Sequence, residues 1–130
     1  MKRLAATLAL LLIASATPAI ALTPRSPVMI ASDAAQPQTV KAGDDFFIAL
    51  PSNVTTGYAW TSKVDDDKLL AYEGNVYQPP DAAMPGAGGE QIFLFHANRS
   101  GSTTVTLEYA RSFETGTPAA KTLTFNITVQ

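Results

Sequence analysis

An all-β fold, an immunoglobulin-like β-sandwich of about seven strands with no disulfide, is what this 130-residue chain predicts. Three observations lead there. Short apolar runs recur with two-residue alternation, and none of the chain sustains a helical period. Six or seven strands that are apolar on one side need a second sheet to cover them. The single tryptophan, Trp60, falls on the third strand once an optional edge strand at 28–30 is counted, where such sandwiches seat a core anchor. The chain contains no cysteine, so the usual inter-sheet bridge is missing and packing alone must hold the fold. A small Greek-key barrel is the alternative that this pattern allows.

Taken in order, the chain begins with a basic Met1-Lys2-Arg3, an apolar run over 4–14 and a small-x-small site at Ala19-Ile20-Ala21. That is the pattern of a secretory signal peptide over 1–21, cleaved after Ala21. The run is too short to span a membrane, so no membrane insertion is expected after cleavage, and the product should be secreted or periplasmic. Residues 22–38 are rich in Pro, Ala and Ser and read as a flexible leader, with an edge strand at Val28-Met29-Ile30 as an option. The domain is expected over 39–130.

Its strands are expected at 45–50, 58–64, 69–77, 90–97, 103–109 and near the C-terminus. In the fifth of these, Val105, Leu107 and Tyr109 should face in. In the last, Leu123, Phe125, Ile127 and Val129 should do the same. Asp65-Asp66-Asp67 reads as a solvated turn, and Pro51 is expected to end the first firm strand.

Composition narrows the chemistry. Net charge is −2, and loss of Lys2 and Arg3 with the signal peptide would make it −4. This argues against nucleic acid and against an anionic membrane face as partners. His96 is the only histidine and has the opposite parity to Phe93 and Phe95, so it reads as an exposed strand residue rather than a general base. With no thiol and no evident cleft for paired carboxylates, the chain is not expected to be an enzyme. Asp65 to Asp67 with Glu73 lacks the spacing of a calcium loop, so no metal and no cofactor is expected.

What remains is three long connections. In a sandwich they would gather at one end, as the loops of antibody-like binding surfaces do. The first, Asn53-Val54-Thr55-Thr56-Gly57-Tyr58, pairs two stiff threonines with a glycine free to take positive φ. The bland reading is a strand connection; the sharper one is a rigid loop that presents hydroxyls and backbone. The second, around Gly86-Ala87-Gly88-Gly89, lets another backbone approach closely or is a plain linker. The third, Arg111-Ser112-Phe113, offers residue types that dominate interface energies, unless Phe113 folds back on the sandwich.

Together the three loops resemble the chagasin family of cysteine-protease inhibitors, marked by Asn-Pro-Thr-Thr-Gly-Tyr, then Gly-x-Gly-Gly with aromatics after it, then Arg-Pro-Trp. Here these stand as Asn53-Val54-Thr55-Thr56-Gly57-Tyr58, then Gly86-Ala87-Gly88-Gly89 before Phe93 and Phe95, then Arg111-Ser112-Phe113. Val54 replaces a proline and Ser112-Phe113 replaces Pro-Trp, so the resemblance implies loops less rigid than the family's. It also implies a monomeric sandwich that reversibly and competitively occludes the active-site cleft of a papain-like cysteine protease. Thr55, Thr56 and Gly57 would sit nearest the catalytic cysteine, and Gly86, Gly88 and Gly89 would lie along the substrate groove. Arg111 and Phe113 would brace its flank, while Asn53, Tyr58 and Trp60 support the first loop. The reading from another class is a non-inhibitory immunoglobulin-like binding or adhesion module of the cell envelope.

Overall fold

A computed structural model of the protein describes residues 26–81, 87–114 and 116–130. The expected signal peptide and Gly86 lie outside the described residues. Among the described residues eight strands run in order: β1 (Val28–Met29), β2 (Gln38–Val40), β3 (Asp45–Ser52), β4 (Tyr58–Val64), β5 (Leu70–Gln78), β6 (Gly89–Ala97), β7 (Gly101–Arg111) and β8 (Lys121–Val129). They form two four-stranded sheets, β1-β3-β6-β5 and β2-β8-β7-β4. The sandwich is therefore the fold, with short parallel pairings at β1–β3 and β2–β8 and antiparallel pairings elsewhere.

The core follows from the alternation. Phe46, Ile48 and Leu50 of β3 meet Phe93 and Phe95 of β6 on the inner face of one sheet. Val105, Leu107, Phe125 and Ile127 cover them from the other. Phe46 and Phe95 stack with ring centroids 5.3 Å apart. Burying each such side chain contributes roughly 1.5–3 kcal/mol, which is how a fold this small holds without a disulfide.

Two expectations change. The optional edge strand at Val28-Met29-Ile30 forms as β1, and the reading of 22–38 as a flexible leader does not hold for the residues after it, which are bonded into the sandwich and add β2. β1 lies along β3, Met29 is buried in the core, and β2 pairs with β8. Between them residues 31–35 form a 3-10 turn closed by Asp33, whose Oδ2 accepts from the Ile30 N–H at 2.8 Å. Ala31 and Ala34 of that turn pack on the core. An edge strand of three residues needs little apolar pattern, so a composition suited to a linker concealed β2.

Pro51 also fails to end its strand: β3 continues to Ser52, with Pro51 opposite Glu90 and Ser52 opposite Gly89. The proline is tolerated because β1 covers only Phe47 and Ile48, leaving that side of β3 an open edge at position 51. The Asp65–Asp67 stretch is the turn it was read to be, with Asp66 Oδ1 accepting from the backbone N–H groups of Lys68 and Leu69.

Candidate functional site at one end of the sandwich

The β3–β4, β5–β6 and β7–β8 connections leave the sandwich at the same end. The register requires it: Ser52 pairs with Gly89, Gln78 with Glu90, and Tyr58 with Arg111.

The first loop is built by its own side chains. Val54–Thr56 form one 3-10 turn with Asn53 as its N-cap. Asn53 Oδ1 accepts from the Thr55 N–H at 3.2 Å and from the Thr55 hydroxyl at 2.6 Å. The Thr56 hydroxyl donates to Asn53 O at 2.6 Å. Gly57 closes the turn at φ 80, a left-handed conformation costly for any residue with a Cβ. Both threonine hydroxyls thus donate within the loop and offer a partner their lone pairs and methyl groups. These bonds supply order where proline is replaced by Val54, which is exposed at the tip.

A column of rings and one guanidinium runs from the core to the tip. Trp60 is buried and its Nε1 donates to Pro51 O at 2.8 Å, tying β4 to the end of β3. Its ring meets Tyr109 at 5.0 Å, and Tyr109 stacks on Tyr58 at 5.2 Å. Tyr109 also accepts the Asn53 N–H on its hydroxyl at 3.1 Å. Above Tyr58 lies the Arg111 guanidinium at 4.4 Å, followed by Phe113 at 5.8 Å from that guanidinium. Arg111 Nε donates to Thr56 O at 3.2 Å and Nη1 to Glu114 at 3.0 Å, so one side chain joins the first loop to the third. The Phe113 ring is 70% exposed, yet one edge lies 3.0 Å from where a Cβ on Gly57 would stand. It does not fold back into the sandwich; it covers Gly57.

The second loop meets the same end. A Cβ on Gly88 would stand 3.4 Å from Ser52 O and 3.6 Å from Asn53 Cβ, so its backbone lies against the base of the first loop. At Gly89 a Cβ would collide with Gln78 O and the Tyr77 ring, so this glycine is required by the β5–β6 pairing itself. The structure thus brings together Thr55, Thr56, Gly57, Gly88, Gly89, Arg111 and Phe113, with Asn53, Tyr58 and Trp60 beneath them.

Sequence reasoning missed the residue that fixes the base of this site. Gln91 is buried on the inner face of β6 and spans the gap between the sheets. Its Oε1 accepts the Trp60 N–H at 2.9 Å and its Nε2 donates to Trp60 O at 2.8 Å. It thereby satisfies the outer edge of β4 as a neighbouring strand would. Nε2 also donates to Asn75 Oδ1 at 3.1 Å, and the Ser52 hydroxyl donates to Oε1 at 3.4 Å. The signal was present: position 91 shares the inward parity of Phe93 and Phe95, and a polar residue there needs partners.

Residues 39–129 match the family described as Chagasin family peptidase inhibitor I42. The chain belongs to the chagasin family. Chagasin of Trypanosoma cruzi is 38% identical over 78 residues, 56% of this chain and 70% of that protein. The cysteine protease inhibitor EhICP2 of Entamoeba histolytica shares the fold at TM-score 0.67 and 21% identity, over 82% of this chain and 99% of that one. Leishmania mexicana ICP aligns at TM-score 0.53 and 28% identity, over 73% of this chain and 89% of its own. PbICP-C, solved in complex with falcipain-2, aligns at TM-score 0.58 and 17% identity, over 81% of this chain and 91% of that one. Within the family this member departs at Val54 and Ser112-Phe113, and both departures lie on the exposed tip.

Proposed function

We propose that this protein is a reversible, competitive inhibitor of papain-like cysteine proteases, acting through the tip formed by residues 53–57, 87–89 and 111–114. The observation that carries the proposal is that Arg111 bonds the third motif to the first at one end of the sandwich, with Gly88 of the second lying against the base of the first. PbICP-C has the same fold and is solved with falcipain-2 bound, which supports a cysteine protease as partner.

The mechanism follows from the loop's shape. Papain-like clefts bind extended peptide, whereas residues 54–56 form a 3-10 turn ended by a left-handed glycine. Thr55, Thr56 and Gly57 therefore fill the space over the catalytic cysteine without offering a scissile bond in register. Gly88 presents no Cβ where the second loop runs beside the groove. Arg111 and Phe113 brace the flank, with the guanidinium already held by Thr56 and Glu114. Loops ordered before contact lose little entropy on binding. An interface of about 800 Å² per partner is usual for protease–inhibitor pairs, and such a tip can supply it. The basic-then-apolar N-terminus supports export, so the proposed setting is secreted or periplasmic, with the protein acting as a monomer and catalysing nothing itself.

The test is titration of active papain with the purified protein. The expected result is 1:1 inhibition that weakens as substrate concentration rises and is released on dilution. Undiminished activity of several papain-like enzymes at micromolar protein would overturn the proposal.

A further inference from the structure

The end of the sandwich opposite the three loops carries a side-chain cluster that inhibition does not use. Asp45 opens β3, and His96 faces it across the β3–β6 register. Both point outward, since their neighbours Phe46 and Phe95 are wholly buried. Glu73 is the extra residue of a β-bulge in β5, between the Tyr72–Phe95 and Gly74–Leu94 pairs. Bulges re-aim a side chain relative to a regular strand, and here the carboxylate is turned beside its neighbours. Asp45, Glu73 and His96 each offer a ligand atom, and these atoms all lie within 4.8 Å of one another. His96 Nδ1 is 2.6 Å from Asp45 Oδ1.

His96 Nδ1 is paired with Asp45 Oδ1, but among the described residues the Glu73 carboxylate beside them has no Lys or Arg partner in an ion pair. Among the described residues the Lys and Arg ion pairs are Arg99–Asp66 and Arg111–Glu114, both elsewhere. We propose that Asp45, Glu73 and His96 form a surface site for a divalent transition-metal ion, with Zn²⁺ as the best match. One imidazole nitrogen and two carboxylate oxygens are a zinc donor set, whereas calcium and magnesium prefer oxygen ligands alone. Zinc holds such ligands at about 2.0–2.2 Å, which puts them about 3.3 Å apart in a tetrahedron. Binding would open the direct 2.6 Å His96–Asp45 contact to that spacing, which the partial exposure of both side chains allows, and would leave one position for water. The ion would fasten β3, β6 and β5 together about 25 Å from the inhibitory tip, the length of β3 away.

His96 is the only histidine, so its imidazole reports on this site alone. The experiment titrates Zn²⁺ into the untagged protein, following the ring's ¹H–¹⁵N signals and the thermal midpoint. Expected are saturation at one equivalent, a displaced His96 ring signal, and a Tm raised by about 5 °C at ten times the Kd. Glu73→Gln and Asp45→Asn should each weaken binding about tenfold or more, while unfolding near the parent Tm without metal. Mg²⁺ should leave the ring unmoved. A ring signal indifferent to millimolar zinc would overturn the proposal. So would carboxylate variants that bind as well as the parent, since that describes a solitary imidazole.

Discussion

Replacing Gln91 by leucine is expected to cost about 3 kcal/mol of stability, although leucine is apolar and of similar size. The substitution leaves the Trp60 N–H and C=O without their cross-sheet partners at a position where Gln91 is only 7% exposed. Each buried backbone group left unpaired costs about 1–3 kcal/mol. For a domain of this size that lowers Tm by about 15 °C. Gln91→Ala should be at least as damaging, because it adds a cavity. Glu90→Ala, one residue away and exposed, is the control and should stay within about 0.5 kcal/mol. Thermal and urea unfolding of the three variants measure this. If Gln91→Leu unfolds like the Glu90 control, the amide does not hold the sheets together.

The second large effect concerns inhibition rather than stability. Thr56→Arg places a long cation at the tip, where Thr56 is exposed and its side chain makes only loop-internal bonds. Its folding cost is the loss of a solvent-accessible hydrogen bond, about 1 kcal/mol. Its cost in binding is steric and electrostatic, with a desolvated charge forced into the cleft. The inhibition constant should rise by more than about 100-fold, equivalent to roughly 2.7 kcal/mol. Phe113→Ala removes the exposed ring that covers Gly57 and should raise it about 30-fold, as expected of an aromatic anchor. Both variants should unfold within a few degrees of the parent. A fall in Tm that tracks the loss of inhibition would instead mean that the loops were damaged indirectly.

The sequence made the sandwich legible because β7 and β8 alternate almost without error, and because Trp60, Phe93 and Phe95 fall on inward positions. The site was legible as three motifs in order, since loop chemistry is local: Gly57 is needed for its left-handed φ wherever the loop lies. What local pattern does not encode is partnership across the gap. Gln91 reads as a stray polar residue until Trp60 stands opposite it. Tyr109 reads as a core residue until its hydroxyl reaches Asn53. Gly89 reads as a gap for a partner's backbone, yet its own neighbours Gln78 and Tyr77 fill that space. β2 was hidden for a related reason, since edge pairing is set by the strand alongside. His96 and Asp45 are 51 positions apart and meet only through the β3–β6 register.

Hydrogen–deuterium exchange of the protein, alone and bound to active papain, tests the shared tip most directly. Slowed exchange should appear together at 53–58, 86–90 and 111–114, leave 44–46 and 95–98 unchanged, and vanish when the papain thiol is blocked beforehand. Protection confined to one loop, or centred on a sheet face, would contradict the claim that three loops act as a single inhibitory surface.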